Sequence, residues 1–344
     1  MQPRLKNKLI RRLTAALAVS ALLPLAAPVL AEVNVYSYRQ PYLIEPMFEA
    51  FTEQTGIKVN TVFAKKGLIE RLVNEGDNSP ADLLITTDIG RILQGVKAGV
   101  TQSVESDKLN NTIPAEFRAE DKQWFGISAR ARLIVVAKDR VGEDEIASYA
   151  DLASPALKGR ICTRSGKHDY MVALIASQLA HNGEEAATDW LSKLKTNLAR
   201  KPQGNDRAQI KAIAQGECDV AVVNSYYMGV MLSDPEQAAA AETVRVVFPD
   251  QGGNGTHMNV SGMSMTKSAP NKMDAVMLME FLVSKEAQAL YADVNHEYPV
   301  RPDMKASDLV ASWGDFNYDS LSMTDIAAQR ALASKLVDRV GYDN

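Results

Sequence analysis

The chain has neither a phosphate-binding loop nor a Gly-x-Ser-x-Gly nucleophile elbow. Those absences remove the commonest sequence signs of a nucleotide hydrolase and of an α/β serine hydrolase. Its four histidines, His168, His181, His257 and His296, show no metal-ligand spacing, so each reads as a surface or structural residue. The glycine-rich run Gly252-Gly253-Asn254-Gly255 lacks dinucleotide-binding spacing and a preceding strand–helix unit, and reads as a loop. No internal repeat, low-complexity tract or Pro/Gly/Ser linker divides the sequence. Cysteine is nearly missing, with Cys162 and Cys218 alone. Beyond residue 31 no stretch is long and apolar enough to span a bilayer.

A basic excess is missing too, with 38 Lys+Arg against 42 Asp+Glu. Five of the basic residues and none of the acidic ones fall within residues 1–31, which leaves the remainder at a formal net charge of −9. Such a chain suits neither nucleic acid nor an anionic membrane surface.

What is present begins with an export signal. Arg4, Lys6, Lys8, Arg11 and Arg12 form a basic region, residues 13–29 are apolar, and Val29-Leu30-Ala31 offers a small-residue cleavage site before Glu32. This pattern predicts a signal peptide over 1–31 and a soluble, monomeric protein exported, most simply, to a bacterial periplasm. An oxidising compartment favours a disulfide between Cys162 and Cys218. The 313 residues that remain exceed what one core usually supports, so two lobes are expected.

Strand-like and helix-like segments alternate along those residues. Strands are predicted at 34–38, 58–64, 81–86, 160–163 and 219–223, and helices at 43–55, 68–74, 91–97, 170–179, 190–198 and 208–215. That order implies parallel sheet covered by helices. Two long extended stretches, 125–138 and 259–267, are the segments that can carry the chain to a second lobe and back. The predicted division is 32–131 with 260–305 for the first lobe, and 132–259 with 306–344 for the second. Such a molecule closes by hinge bending over a small ligand.

The run Ser165-Gly166-Lys167-His168-Asp169 holds triad residue types, but crowded into five positions, where a loop leading into a helix explains them as well. The tyrosines carry more. Tyr170 stands at the head of an apolar helix, and Tyr226-Tyr227 follow a strand at a strand-to-helix turn with Asn224 or Ser225 as cap. At a helix start, adjacent side chains are about 100° apart and can converge. Helix N-termini favour phenolate, and a trivalent cation displaces phenol protons to make hard anionic ligands, a chemistry that most favours iron(III). Aromatic packing, or stacking on an organic ligand, is the alternative use of the same rings.

Several segments together resemble the periplasmic ferric-iron-binding proteins, the transferrin-like receptors of bacterial ABC iron importers. They are Tyr36-Ser-Tyr-Arg39 with Tyr42, Ser79-Pro-Ala-Asp82, Trp124 through Arg132, Lys158-Gly-Arg160, Lys201-Pro-Gln-Gly-Asn-Asp206, Asn224 through Gly229 and Gly255 through Gly262. The resemblance runs the length of the chain beyond residue 31. It implies an α/β type II periplasmic-binding-protein fold, two lobes joined by two strand crossovers, with iron in the cleft between them. It makes Tyr170, Tyr226 and Tyr227 iron ligands from the second lobe and Tyr42 the ligand from the first. Many members place a histidine just before that first-lobe tyrosine, where this chain has Gln40-Pro41; the glutamate other members use is replaced by Thr86-Thr87-Asp88. A tyrosine-dominated site completed by water or a small anion such as carbonate is what this set of residues implies.

Four tyrosinates around Fe³⁺ leave about −1, which a cleft of low dielectric opposes. Arg130 and Arg132, in the first extended stretch, and Arg39, beside Tyr42, are the candidates to offset it or to hold the anion. The favoured reading is a non-enzymatic Fe³⁺ receptor serving an ABC permease in the inner membrane. A receptor for a small organic or oxyanion ligand, and a secreted hydrolase working through Ser165 and His168, are the alternatives.

Overall fold

A computed structural model describes residues 31–344. The expected signal peptide, but for Ala31, lies outside the described residues. Among these residues no helix is long and apolar enough to cross a membrane.

The chain opens with parallel β-α-β units. Strand β1 (Glu32–Ser37) leads through helix α1 (Glu45–Thr55) to β2 (Lys58–Phe63), then through α2 (Leu68–Glu75) to β3 (Leu83–Thr86), and β1 pairs in parallel with both other strands. Helix α1 buries Met47, Phe48 and Phe51 and stops at Gly56, whose φ of 74° is the left-handed conformation that ends helices. The helix expected to begin at Leu43 begins at Glu45 instead, because Pro41 opens a short 3₁₀ turn, Pro41–Leu43, ahead of it. Helix α3 (Ile89–Lys97) follows, capped by Asp88, whose side chain accepts from the Arg91 amide. Short β4 (Thr101–Gln102) and helix α4 (Asp107–Thr112) complete this part.

Strand β5 (Phe125–Ala137) then runs for thirteen residues, all buried. Its first part, through Ala131, pairs antiparallel with β9 (Met258–Thr266), and from Arg132 onward it pairs with β7 (Val220–Asn224) and β8 (Val244–Val247). One strand therefore belongs to two half-sheets. The first has order β2-β1-β3-β9-β5, and the second continues β5-β7-β6, with β6 (Ile161–Cys162) parallel to β7. This is the two-lobed α/β architecture that the sequence predicts. Within β5 the run Ile127-Ser128-Ala129-Arg130-Ala131-Arg132 alternates apolar and polar residues, and the continuation Leu133-Ile134-Val135-Val136-Ala137 is apolar throughout.

Helix α5 spans Asp169–Thr196 as one element interrupted at Gly183, where φ is 78° and ψ 173°. The two helices expected at 170–179 and 190–198 are its two parts. Helices α6 (Asp206–Ala214) and α7 (Ser225–Leu232) flank β7, and the C-terminal helices Met323–Ala328 and Arg330–Arg339 lie against α5.

Cys162 and Cys218 form the expected disulfide, with Cα atoms 5.9 Å apart. Cys218 lies two residues before β7 rather than at its start, beside the β6–β7 pairing of Cys162 with Ala221. The bridge closes a separation of 56 residues. Its reduction should lower the unfolding free energy by about 2–4 kcal/mol, chiefly through the unfolded chain. Denaturant unfolding of oxidised and reduced protein measures that difference, and coincident curves would show that the β6–β7 pairing holds without it.

Candidate functional site

Two helix starts bring three phenols together. Tyr170 is the second residue of α5, and Tyr226 and Tyr227 are the second and third residues of α7. The hydroxyls of Tyr170 and Tyr226 are 3.3 Å apart, and the rings of Tyr226 and Tyr227 lie 4.2 Å centre to centre, tilted by 30°. Consecutive residues converge here because α7 begins immediately after β7. On a continued strand they would have faced opposite ways. Asn224 occupies the cap position of α7 but makes no capping bond; its Oδ1 accepts from Arg132 instead, and Ser225 Oγ accepts from the Ala131 amide.

The cluster faces four arginines, of which Arg130, Arg132 and Arg164 are buried. The guanidinium carbons of Arg164, Arg130 and Arg132 lie 5.1, 5.9 and 6.0 Å from the Tyr170 ring centre, and that of Arg207 lies 5.7 Å from the Tyr227 ring centre. Arg130 and Arg132 share a face of β5, as strand alternation requires. Their commitments differ. Arg132 pairs with Asp206 at 2.7 Å, and Arg164 pairs with the other oxygen of the same carboxylate at 2.9 Å. Asp206 also accepts from the Asn224 amide, so its carboxyl is held below the usual range despite complete burial; burial itself opposes this, and Arg132 and Arg164 overcome it. Arg130 donates one bond to Ser261 and stands 3.9 Å from Glu297, leaving Nε and Nη2 buried without partners among the described residues. Arg39 is bound at both ends of its guanidinium to Glu297, at 2.8 and 3.2 Å, and also reaches Ser128 and Ser261.

Burial pushes the Tyr226 phenol well above its ordinary pKa, with Tyr170 and Tyr227 adding to the shift. Burial also raises Tyr170, while Arg130 pulls the other way. Without a cation these two phenols are neutral at neutral pH. Tyr42 sits elsewhere. It lies in the turn Pro41–Leu43, is 62% exposed, and makes no hydrogen bond or ring contact with the other three.

The Ser165–Asp169 run does not form a triad. Ser165 Oγ donates to Asp343 at 2.7 Å, while His168 Nδ1 accepts the Tyr170 amide proton as the cap of α5. Burial, followed by Arg164, holds the His168 imidazole down to about 3, so it is neutral. Among the described residues no group of three or more His, Cys, Asp and Glu side chains could hold a metal. A groove of about 820 Å³ lies between α3 and the helix Met323–Ala328, lined by Leu93, Arg118, Trp124 and Asp325 and by none of the phenols. Its size does not make it the site.

Arg164, Asp206, Arg207, Ser261 and Glu297 escape a reading of the sequence. Asp206 had a usable signal, since an acidic residue opening a helix next to the Lys201–Gly204 turn invites an arginine partner. Nothing local marks Glu297, whose partners stand 258 and 167 positions away in sequence.

Residues 46–317 match the family model of bacterial extracellular solute-binding proteins. Iron uptake protein A1 of Synechocystis is 43% identical over 90% of this chain and 87% of its own length. The solved apo ferric ion-binding protein A of Pasteurella haemolytica is 50% identical and superposes with a TM-score of 0.86, covering 91% of this chain and 98% of its own. A Trichodesmium protein solved with iron and citrate ligands is 42% identical, with a TM-score of 0.87, covering 91% of this chain and all of its own. These likenesses make the fold that of the type II periplasmic binding proteins.

Proposed function

The chain belongs to the bacterial extracellular solute-binding proteins, and we propose that its solute is Fe³⁺, bound as tyrosinate complex in the cleft between the lobes. One observation carries the reading: Tyr170, Tyr226 and Tyr227 meet at two helix N-termini beside buried guanidiniums. Phenols are poor ligands for soft or weakly acidic cations but strong ones for Fe³⁺, which replaces their protons. The positive helix ends and the arginines favour the phenolate state that the metal creates. The names of the Synechocystis, Pasteurella and Trichodesmium proteins agree with iron as the cargo.

Tyr42, exposed in the turn Pro41–Leu43, supplies the fourth ligand from the first lobe when the cleft closes. The lobes divide at 131/132 and near 260, a division supported by the switch of β5 from β9 to β7 between Ala131 and Arg132. Three or four phenolates offset or slightly exceed the charge of Fe³⁺. Arg130, with two buried nitrogens unpartnered, holds a carbonate-like anion or a water that completes the shell. Arg132 and Arg164 are engaged by Asp206 and act on the cluster through their field. The protein is exported, works as a monomer in the periplasm, and delivers iron to an ABC permease of the inner membrane.

Titration of the apo protein with an Fe³⁺ salt tests this. Iron(III)–phenolate charge transfer should turn the solution red-orange with one-to-one stoichiometry, a colour that neither an organic or oxyanion ligand nor a hydrolase explains. Solution scattering of the same samples should show a more compact protein with iron than without it. Identical profiles would confine the site to the second lobe and remove Tyr42 from it.

A further inference from the structure

Three helices begin at one place, and their first side chains form a closed ring of charge. Asp88 caps α3, Asp169 opens α5, and Arg330 opens the C-terminal helix Arg330–Arg339. Arg91, from the first turn of α3, lies 3.8 Å from Asp88 and 3.3 Å from Asp169. Arg330 lies 3.0 Å from Asp169 and 3.7 Å from Asp88, and its other nitrogen donates to the Asp169 carbonyl at 3.2 Å. Acid and base alternate round the four members, and each guanidinium touches both carboxylates.

Two features show that the ring is built rather than incidental. The acids sit where helix dipoles welcome them, but a cation at the start of a helix opposes the dipole, so Arg330 is placed against local preference. Arg330 also passes over Gly90, where a Cβ would come within 2.1 Å of its Nε and 2.3 Å of its Cζ. The ring needs that missing methyl. Asp88 is fully buried, and the Arg91 guanidinium stacks on Tyr38 at 4.7 Å, whose hydroxyl in turn accepts from the first two amides of α2.

The ring joins α3, packed on the first half-sheet through β3 and β9, to the residue immediately before Tyr170. We infer that Asp88, Arg91, Asp169 and Arg330 are positioning residues for Tyr170, fixing the start of α5 so that its phenol meets Tyr226 in the geometry that iron needs. This rests on the iron reading above. No ring member touches the metal; the effect passes through the α5 backbone.

The test uses the full exported protein and Fe³⁺, with iron release to a competing chelator as the readout. Asp169→Asn, which keeps shape and removes charge, and Gly90→Ala, which displaces Arg330, should each speed release about tenfold or more, the size seen when groups that orient a metal ligand are lost. The charge-transfer colour at saturating iron should persist, because all phenols remain. The decisive step is the background. In Tyr170→Phe protein the Asp169→Asn change should have no further effect on release, whereas in Tyr227→Phe protein it should keep its full effect. Amide exchange at residues 168–172 of the apo protein should also quicken in Asp169→Asn, a reading that needs no iron and stands in if Gly90→Ala fails to fold. Wild-type release rates in Asp169→Asn, or an equal effect in the Tyr170→Phe background, would overturn the inference. Wild-type protein that takes up no iron, with exchange at 168–172 still quickened by Asp169→Asn, would instead remove the iron reading and leave the ring as an anchor for α5.

Discussion

Tyr226→Phe and Tyr227→Phe proteins should fold normally, lose most of their red-orange absorbance, and bind Fe³⁺ at least about a hundredfold more weakly than the parent. The lower bound follows because loss of a group that merely orients a metal ligand already costs about 10–100-fold, and each of these changes removes an anionic ligand itself. The fold should survive because only a hydroxyl is deleted while both rings keep their contact at 4.2 Å. For Tyr226 the apo protein loses one long hydrogen bond, since its hydroxyl is buried 3.3 Å from that of Tyr170. Affinity should therefore fall far more than stability, which aromatic packing alone does not predict. Competition against a chelator gives the affinity, and thermal unfolding of the apo proteins gives the stability. Unchanged affinity in both variants would remove the phenols from the site and with them the iron reading.

How much of this was legible in the sequence differs by residue. The tyrosine pair was visible because it follows an apolar strand at Asn224-Ser225, a helix-cap signal, and at a helix start adjacent side chains can converge. The β-α-β order was visible from local periodicity, and the Cys162–Cys218 bridge from the oxidising compartment that an export signal implies. Strand β5 was visible as an extended stretch with a lobe boundary expected at 131/132, but the strands it pairs with on either side were not, since pairing is a property of both strands. The electrostatic shell was the least legible part. Arg130 and Arg132 could be picked out as strand residues of like facing. That Arg132 is spent on Asp206 while Arg130 keeps two free buried nitrogens depends on where α6 begins, 74 positions later. Arg39 shows the same limit. Its neighbour Tyr42 made it a candidate for the site, yet its guanidinium is gripped by Glu297 from near the other end of the chain.

Iron affinity should collapse on acidification, and the steepness should count the ligands. Burial raises Tyr170 and drives Tyr226 well above 10, so both phenols enter the reaction protonated at every pH below that range. Each phenol that becomes a ligand must release its proton, so the binding constant falls about tenfold per pH unit for every such proton as the pH drops. Three tyrosinates predict roughly a thousandfold per unit, and four predict about ten times more again. The sign is opposite for the apo fold. A phenol whose pKa is raised on folding contributes stability below its unfolded value near 10, and that stability is lost as pH rises through the folded value. Mild acid should therefore strip iron without unfolding the protein. The comparison that decides the first-lobe ligand is Tyr42→Phe against the parent, measured between neutral pH and mild acid under the same bicarbonate concentration, so that any protons of the anion cancel. If Tyr42 closes onto the metal, the variant's slope is shallower by one proton as well as its affinity lower. Equal slopes would mean that Tyr42 stays in solvent in the iron-loaded protein and that the metal is held from the second lobe alone.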